Sequence, residues 1–492
     1  MENLSACSDS VGEYLLTELS VRTEPRPEES QRPPRRSGLV LAIILTCQLM
    51  LILDATVMNV ALPRIQSDLH FSATGLSWVM TAYSLVFGGL LLLGGRAGDL
   101  FGRRRLFVLG TAVFTLASLA GGLADSAALL IVARAVQGVG AAMAGPSTIA
   151  LVTTTFTEAK ARIRALALFS AMASSGFAIG LIVGGLLTEW ISWRAALFIN
   201  VPFGLAIVLL APRFVPEPQR RHAHLDLPGA VTGTLGVAGL VFAFTHAASD
   251  GWGDPVTLGS LAAGLVFVLA FLRIETRTAM PLVPLRLFAE RNRAAAYVNF
   301  FLGPMAMMSM FFFLTQFLQD IRHFAALATG VAFLPMAALV FAMSRLIPRL
   351  LPRFGPKPMT VTGSLLMIAG VGWLAQLTPD SAYFGALFGP MVLMGLGVGL
   401  AFSPLNIIIM ATVPAEDAGA AGGVLQTMQQ TGSTLGLAIL ITVFGEATRG
   451  ATGSGPQIMV DGMNAAFAAA TVIAALTFAV ALTFRRQEQQ TI

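Results

Sequence analysis

The sequence predicts an all-α polytopic membrane protein of about fourteen transmembrane helices, on three observations. The first is composition: 55% of the 492 residues are hydrophobic and only 12% charged, with a mean hydropathy of +0.75. A soluble domain has no interior large enough for that much apolar surface, so the solvent is lipid. The second is length. Apolar runs near the roughly 20 residues that a spanning helix requires recur along the chain, separated by short polar stretches. The third is the placement of basic residues, which collect in every second polar stretch.

The runs lie at about 39–62, 75–95, 104–124, 127–150, 163–187, 195–212, 229–248, 256–274, 294–318, 326–347, 358–377, 382–404, 424–446 and 463–484. An even number puts both termini on one side. Among the 31 Lys+Arg, Arg64, Arg194, Arg322 and Arg449 fall on the far side, and Arg134 falls inside the fourth run. The rest fall on the side of the termini, among them the first tail, "GRRR" at 102–105, "KARIR" at 160–164, "RR" at 220–221, "RNR" at 291–293, "PRFGPK" at 352–357 and Arg485–Arg486. The positive-inside rule makes that side cytoplasmic. A single missed span would scramble this alternation, so charge also supports the number of spans.

Residues 1–37 are polar and rich in Pro, and are expected to be a disordered cytoplasmic tail. No short apolar segment with a cleavage site precedes the first span, so no removable signal peptide is expected. Cys7 and Cys47 have no metal-site spacing, and their surroundings make a mutual disulfide implausible. The five histidines form no metal motif, and no glycine-rich phosphate loop is present, so hydrolysis and nucleotide chemistry have little support. The net charge of +5 resides beside the spans and requires no nucleic-acid partner. The protein is therefore expected not to be an enzyme and to need no cofactor or metal.

"RAGDLFGRRR" at 96–105 and "RLLPRFGPKP" at 349–358 share a register. Arg96, Phe101, Gly102 and Arg104 correspond to Arg349, Phe354, Gly355 and Lys357, and one segment follows span 2 while the other follows span 10. Short cytoplasmic loops also carry Gly and Arg for topology alone. Read as a duplication, the chain divides into a bundle of six spans (38–213), a linker with two extra spans (214–290), a second bundle of six (291–485) and a cytoplasmic tail (486–492).

Five motifs carry a resemblance over about residues 39–485. They are "LDATVMNVALP" (53–63), "GRAGDLFGRRRL" (95–106), "RAVQGVGAA" (134–142), "GFAIGLIVGG" (176–185) and "WRAALFINVPFG" (193–204). In this order and spacing they resemble the major facilitator superfamily, specifically the fourteen-span drug:proton antiporter family of EmrB/QacA type. The resemblance implies a major facilitator fold, two six-helix bundles plus two extra central helices, in a bacterial cytoplasmic membrane. In one place the chain departs from the pattern: the antiporter motif in span 5 usually carries Pro after its middle Gly, and here that position is Leu181.

Asp54 is the most informative residue. A carboxylate at the bilayer centre costs about 2.5–3.5 kcal/mol on insertion scales, so it is expected to face a bundle interior or an aqueous cavity. Arg134 is the matching base. Asp54 lies about 12 Å before the outer end of its run and Arg134 about 10–11 Å after the start of its own, so the two share a depth. They are expected to face each other, with Asp54 carrying the coupling proton and Arg134 tuning its proton affinity; the alternatives are a structural Asp54 that is merely hydrogen-bonded and a pair in which each meets a different neighbour. Dry surroundings favour the neutral acid and a nearby cation favours the carboxylate, so reversible protonation is open to this pair.

The resemblance assigns the loop after span 2, with Gly95, Asp99, Gly102 and Arg103, to a gate between the halves. Arg103–Arg105 also suffice as a topology anchor, but a carboxylate at Asp99 in a basic loop calls for a specific bond or a helix N-terminus. Gly176, Gly180 and Gly184 recur every fourth residue and, with Gly185, allow close helix packing; the resemblance adds that this face seals the two bundles. Substrate contacts are sought at Asn59, Tyr297, Asn299, Gln316, Asn406, Gln426 and Gln429, beside the Met- and Phe-rich run 297–317. Lipid contact or packing explains most of the apolar members of that run equally well.

The expected activity is proton-driven export of small amphipathic or cationic drugs by alternating access, with protons and membrane lipids as the other partners. A dedicated exporter of one natural product, a proton-coupled uptake symporter and a non-transporting receptor or scaffold are the alternatives.

Overall fold

The structure is a computed structural model that describes residues 37–484, except 73, 157, 218–225, 279–280, 284, 412, 414–417, 450 and 452. The tail expected at 1–37 therefore falls outside the described residues except for Ser37, as do Arg220–Arg221, Arg485–Arg486 and the second tail. From Gly38 onward the chain is one compact unit.

Fourteen long helices follow one another among the described residues, one for each predicted run. They are α1 (Ser37–Leu69), α2 (Trp78–Phe101), α3 (Arg103–Gly122), α4 (Ala127–Thr155), α5 (Ala159–Trp190), α6 (Asn200–Phe214), α7 (Leu227–Asp250), α8 (Pro255–Glu275), α9 (Arg291–Gln316), α10 (Leu334–Phe354), α11 (Pro356–Leu374), α12 (Phe388–Ala411), α13 (Ala418–Thr448) and α14 (Gly455–Leu482). Short turns lead into three of them: Ala195–Phe198 before α6, Ala326–Ala332 before α10 and the π-turn Tyr383–Leu387 before α12. Twelve stretches are long and apolar enough to span a membrane by themselves. The described apolar part of α5 is shorter, at Gly176–Trp190. The other exception, α11, opens on the polar turn "PKPMT", which dilutes its hydropathy. Leu116 and Leu269 are 66% and 65% exposed, a fit for lipid contact and not for water.

Several boundaries differ from the predicted ones. α1 runs past Pro63 to Leu69 instead of ending at 62. The turns beyond Pro63 expose Arg64, Ser67 and Asp68, so the helix outlasts its apolar stretch. α4 likewise passes Pro146 to reach Thr155. Elsewhere polar caps fix the ends. Asp226 accepts from the Gly229 N–H, Asp254 from those of Val256 and Thr257, Glu290 from those of Asn292 and Arg293, and Ser454 from that of Gln457.

The duplicated loop is visible in three dimensions. Gly102 and Gly355 end α2 and α10 at φ of +109° and +75°, a backbone that glycine tolerates and L side chains rarely adopt. Phe101 and Phe354 before them are 52% and 53% exposed. A second matching pair lies deeper. A Cβ on Gly110 would sit 2.7 Å from the Gly140 carbonyl, and one on Gly363 would sit 2.7 Å from that of Gly397. The α3–α4 and α11–α12 crossings are thus built by the same device, backbone approaching backbone where side chains are missing. The two extra helices pack on each other, and α7 also contacts α2 of the first half and α13 of the second.

Candidate functional site

Five helices converge on one carboxylate. Asp54 comes from α1, Arg134 and Gln137 from α4, Ser118 from α3 and Asn200 from the first position of α6, while α2 contributes Val79 and Tyr83. The first five side chains are all between 0% and 1% exposed. Arg134 and Gln137 are three residues apart and so share a helix face.

The bonding is specific. Arg134 Nη1 donates to Asp54 Oδ2 at 2.5 Å and to Gln137 Oε1 at 2.9 Å. Arg134 Nε donates to the Val79 carbonyl at 2.9 Å, and the guanidinium lies 4.5 Å from the centre of the Tyr83 ring. Asp54 Oδ1 accepts from Gln137 Nε2 at 3.0 Å and from Asn200 Nδ2 at 2.9 Å. Gln137 Nε2 also lies 2.7 Å from Ser118 Oγ. The carboxylate therefore accepts three hydrogen bonds, one of them from a cationic donor; both lone pairs of Oδ1 are engaged, by Gln137 and Asn200, so a proton there displaces one of those donors. Two buried atoms of the site lack a partner, Arg134 Nη2 and Asn200 Oδ1. An ion pair this dry is costly to assemble and costlier to break from one side, by about 3–5 kcal/mol.

The structure brings Asp54 and Arg134 together; the depth argument had placed them side by side. Sequence reading did not single out Gln137, Ser118 or Asn200. Gln137 had a usable signal, its position one turn after the only arginine deep in a span. Asn200 and Ser118 carry no charge, and only the tertiary fold shows that they converge.

The loop after α2 is a second polar centre. Arg103 donates to Asp99 Oδ1 at 2.5 Å. The Arg104 N–H bonds Glu217 Oε1 at 3.1 Å, and Arg104 Nη1 reaches the carbonyls of Pro212, in the last turn of α6, and Val215, just past it. Gly95 faces Pro146 of α4, and Gly102 leaves room for Glu217. Among the described residues these bonds stay within the first six helices, so here the loop fastens α2, α3 and α6 to one another and not to the second half. Glu217 lies beyond the last apolar residue of span 6, where no motif marked it.

The glycine stripe of α5 requires a correction. A Cβ at Gly176 would meet Leu49 and Ile52, one at Gly180 would run into Thr56 Oγ1, and one at Gly184 would meet Val57 Cα at 2.8 Å. All three pack on α1, in the same half. The spacing defined a face but not its partner. Contact with the second half comes one residue on, where Gly185 meets Leu327, and at Leu181, whose carbonyl a Cβ on Gly330 would run into.

The candidate substrate residues do not form one site. Tyr297 and Gln316 are nineteen residues apart on α9, about 28 Å. The Tyr297 hydroxyl donates to the Ala421 carbonyl, Asn299 to Ala295 and Gln316 to Phe312. All three side chains are at most 3% exposed, each bonded to a backbone carbonyl. Phe311, Phe312, Phe313 and Phe317 likewise lie in the main apolar core. Asn59 is buried with its Oδ1 unpartnered. Asn406 is exposed, and Gln426 and Gln429 are half-buried on α13.

Fourteen apolar helices around a buried charge cluster define a multi-pass membrane protein of the transporter class. Residues 44–437 match the Major Facilitator Superfamily, and the chain belongs to it. It is 42% identical over 440 residues to the puromycin resistance protein pur8 of Streptomyces alboniger, covering 88% of this chain and 87% of that one. It is 40% identical over 426 residues to the cephamycin export protein CmcT of Amycolatopsis lactamdurans, covering 85% and 88%. A crystal structure of an auto-inhibited POT family peptide transporter shares the fold, with a TM-score of 0.66 at 16% identity over 92% of this chain and 99% of that one.

Proposed function

We propose that the chain is a proton-coupled antiporter of the fourteen-span EmrB/QacA type that exports antibiotic-like amphipathic molecules across the bacterial cytoplasmic membrane, with both termini cytoplasmic. The observation that carries the reading is Asp54, fully buried yet held by Arg134, Gln137 and Asn200 from two other helices. A purely structural carboxylate gains little from such a place, because an apolar side chain of similar volume packs there without desolvation cost. A proton on Asp54 Oδ1 removes one of the two donors there, Gln137 or Asn200, and loosens α1 from α4 or α6. A protonation event thereby becomes a change in helix packing.

The contacts between the halves define one of the two states that coupling requires. Glu189 Oε2 accepts from the Leu327 N–H at 3.0 Å, and Gln319 Nε2 donates to the Val60 carbonyl at 2.9 Å. Phe177 meets Phe311 edge-on at 5.3 Å. In the proposed orientation these contacts close the outer end. Opening it breaks them, and export follows if drug and proton favour opposite states. The gradient supplies the energy, without a cofactor.

Relatives named for puromycin resistance and cephamycin export support antibiotics as the substrate class. Because each bears the name of one compound, a dedicated exporter is the second reading. Reconstituted protein under an imposed pH gradient tests both against a panel of dyes and antibiotics. Proton movement opposite to several compounds supports the broad antiporter, and movement with one supports the dedicated exporter. Movement in the same direction establishes symport instead.

A further inference from the structure

We propose that Asn200 follows the protonation state of Asp54 by turning its side-chain amide over, donating to the carboxylate and accepting from the carboxylic acid. The inference rests on Asp54 as the coupling group and assigns the partner that receives its proton's hydrogen bond.

Protonated at Oδ1, Asp54 becomes a new donor and needs an acceptor where two donors, Gln137 and Asn200, now stand. Arg134 has no acceptor in any state. Gln137 has one, but its Oε1 is held by Arg134 Nη1 at 2.9 Å, and its Nε2 lies against Ser118 as well as Asp54. Turning Gln137 over sets its amine against the guanidinium. Asn200 is bound differently. Its Nδ2 makes one bond, to Asp54 Oδ1 at 2.9 Å, and its Oδ1 is buried with no partner. Rotation by half a turn about the last side-chain bond exchanges the two ends. It gives up only the bond that protonation removes, and it brings the unpartnered oxygen to the new proton. Electrostatics assign the starting orientation, since an amide oxygen facing a carboxylate oxygen repels it.

The surroundings keep this exchange local. Among the described residues the other charged or titratable groups at the site are Arg134 from α4, Tyr83 from α2 and Cys47, two turns before Asp54 on the same face of α1. Cys47 is paired with Thr111, and Tyr83 lies under the guanidinium. Asn200 is 1% exposed, so water competes little for its oxygen. Its place at the first residue of α6 ties the amide's orientation to the helix that leads to Pro212, Val215 and the Arg104 lock.

The test combines transport with infrared difference spectroscopy on the full chain in liposomes, using isotope-labelled asparagine and stepping the pH. An acid band absent from Asp54→Asn reports Asp54, and a labelled amide band absent from Asn200→Leu reports Asn200. The two bands are expected to change together. Leu matches Asn in size but has no polar atoms, so Asn200→Leu should slow coupled exchange about tenfold, the value of one hydrogen bond, and flatten its pH dependence. A hydroxyl can donate or accept, so Asn200→Ser should keep the pH dependence with a smaller loss of rate. An amide band that stays fixed while the Asp54 band titrates overturns the proposal and leaves Asp54 as the coupling group. So does an Asn200→Leu protein with the wild-type pH profile. If Asp54→Asn itself keeps proton-coupled exchange, the proposed function falls first, and this inference with it.

Discussion

Arg104 and Lys357 occupy matching places in the two halves. Arg104 Nη1 bonds the carbonyls of Pro212 and Val215, and Lys357 Nζ bonds those of Leu482 and Phe484 at 3.0 and 2.6 Å. In each half a cation just after the positive-φ glycine fastens the third helix to the end of the sixth. The charge also meets the negative end of a helix dipole. Lys357 was found from sequence only as a weak match in an aligned loop; its carbonyl partners explain why a cation recurs there.

The first half adds Glu217, whose carboxylate lies 3.5 Å from Arg104 Nε. Replacing either Arg104 or Glu217 by Ala is expected to lower thermal stability in detergent. The double variant should lose less than the sum, with a coupling of about 1 kcal/mol because the pair is partly exposed. A purely additive cycle would show that the two residues act separately.

Two glycines separate folding from gating. Gly180→Ala forces a Cβ into Thr56 within the first half and is expected to destabilise the protein by about 1–3 kcal/mol. Gly330→Ala pushes instead on the Leu181 carbonyl, across the boundary between the halves. It should leave the melting temperature nearly unchanged and shift the population toward the state in which α5 and α10 part. Spin-label distances between those helices measure the shift.

The Glu189–Leu327 bond predicts a related effect at the same end. Glu189→Ala removes the acceptor for the Leu327 N–H. Separation of the halves should then become several-fold more frequent, as read by thiol labelling of a cysteine placed at Val60. Unchanged labelling would mean that the bond adds nothing to closure.

Asp254 supplies a pH-dependent element on the far side of the membrane. The Thr257 N–H first, then the Val256 N–H and His246, hold its carboxyl below the usual value, against a smaller opposing effect of burial. A folded-state value below the unfolded one means a cap that is fully present above the unfolded value and lost as pH falls through the folded one. Amide exchange at Val256 and Thr257 should accelerate in Asp254→Ala at neutral pH. The difference from wild type should disappear in strong acid.

Much of the fold was legible because lipid imposes a simple rule: long apolar runs must be helices, and basic residues mark their cytoplasmic ends. The Asp54–Arg134 pair was legible because charges in such runs are few and depth follows from residue counting. What remained hidden depended on facing. Gly176, Gly180 and Gly184 announced a close contact but not that α1 made it. Tyr297 and Gln316 are both polar candidates of one apolar run, and helical rise places them at opposite ends of α9. Gln137, Ser118 and Asn200 are uncharged, and their role appears only when α3, α4 and α6 meet around α1.

The most direct measurement is drug-driven proton movement in liposomes holding wild-type or Asp54→Asn protein, followed by a pH-sensitive dye inside. Addition of a transported antibiotic should move protons against the drug in the wild type and produce no proton movement with Asp54→Asn, although the drug still binds. Equal proton movement in the two would contradict the account and place the coupling group elsewhere.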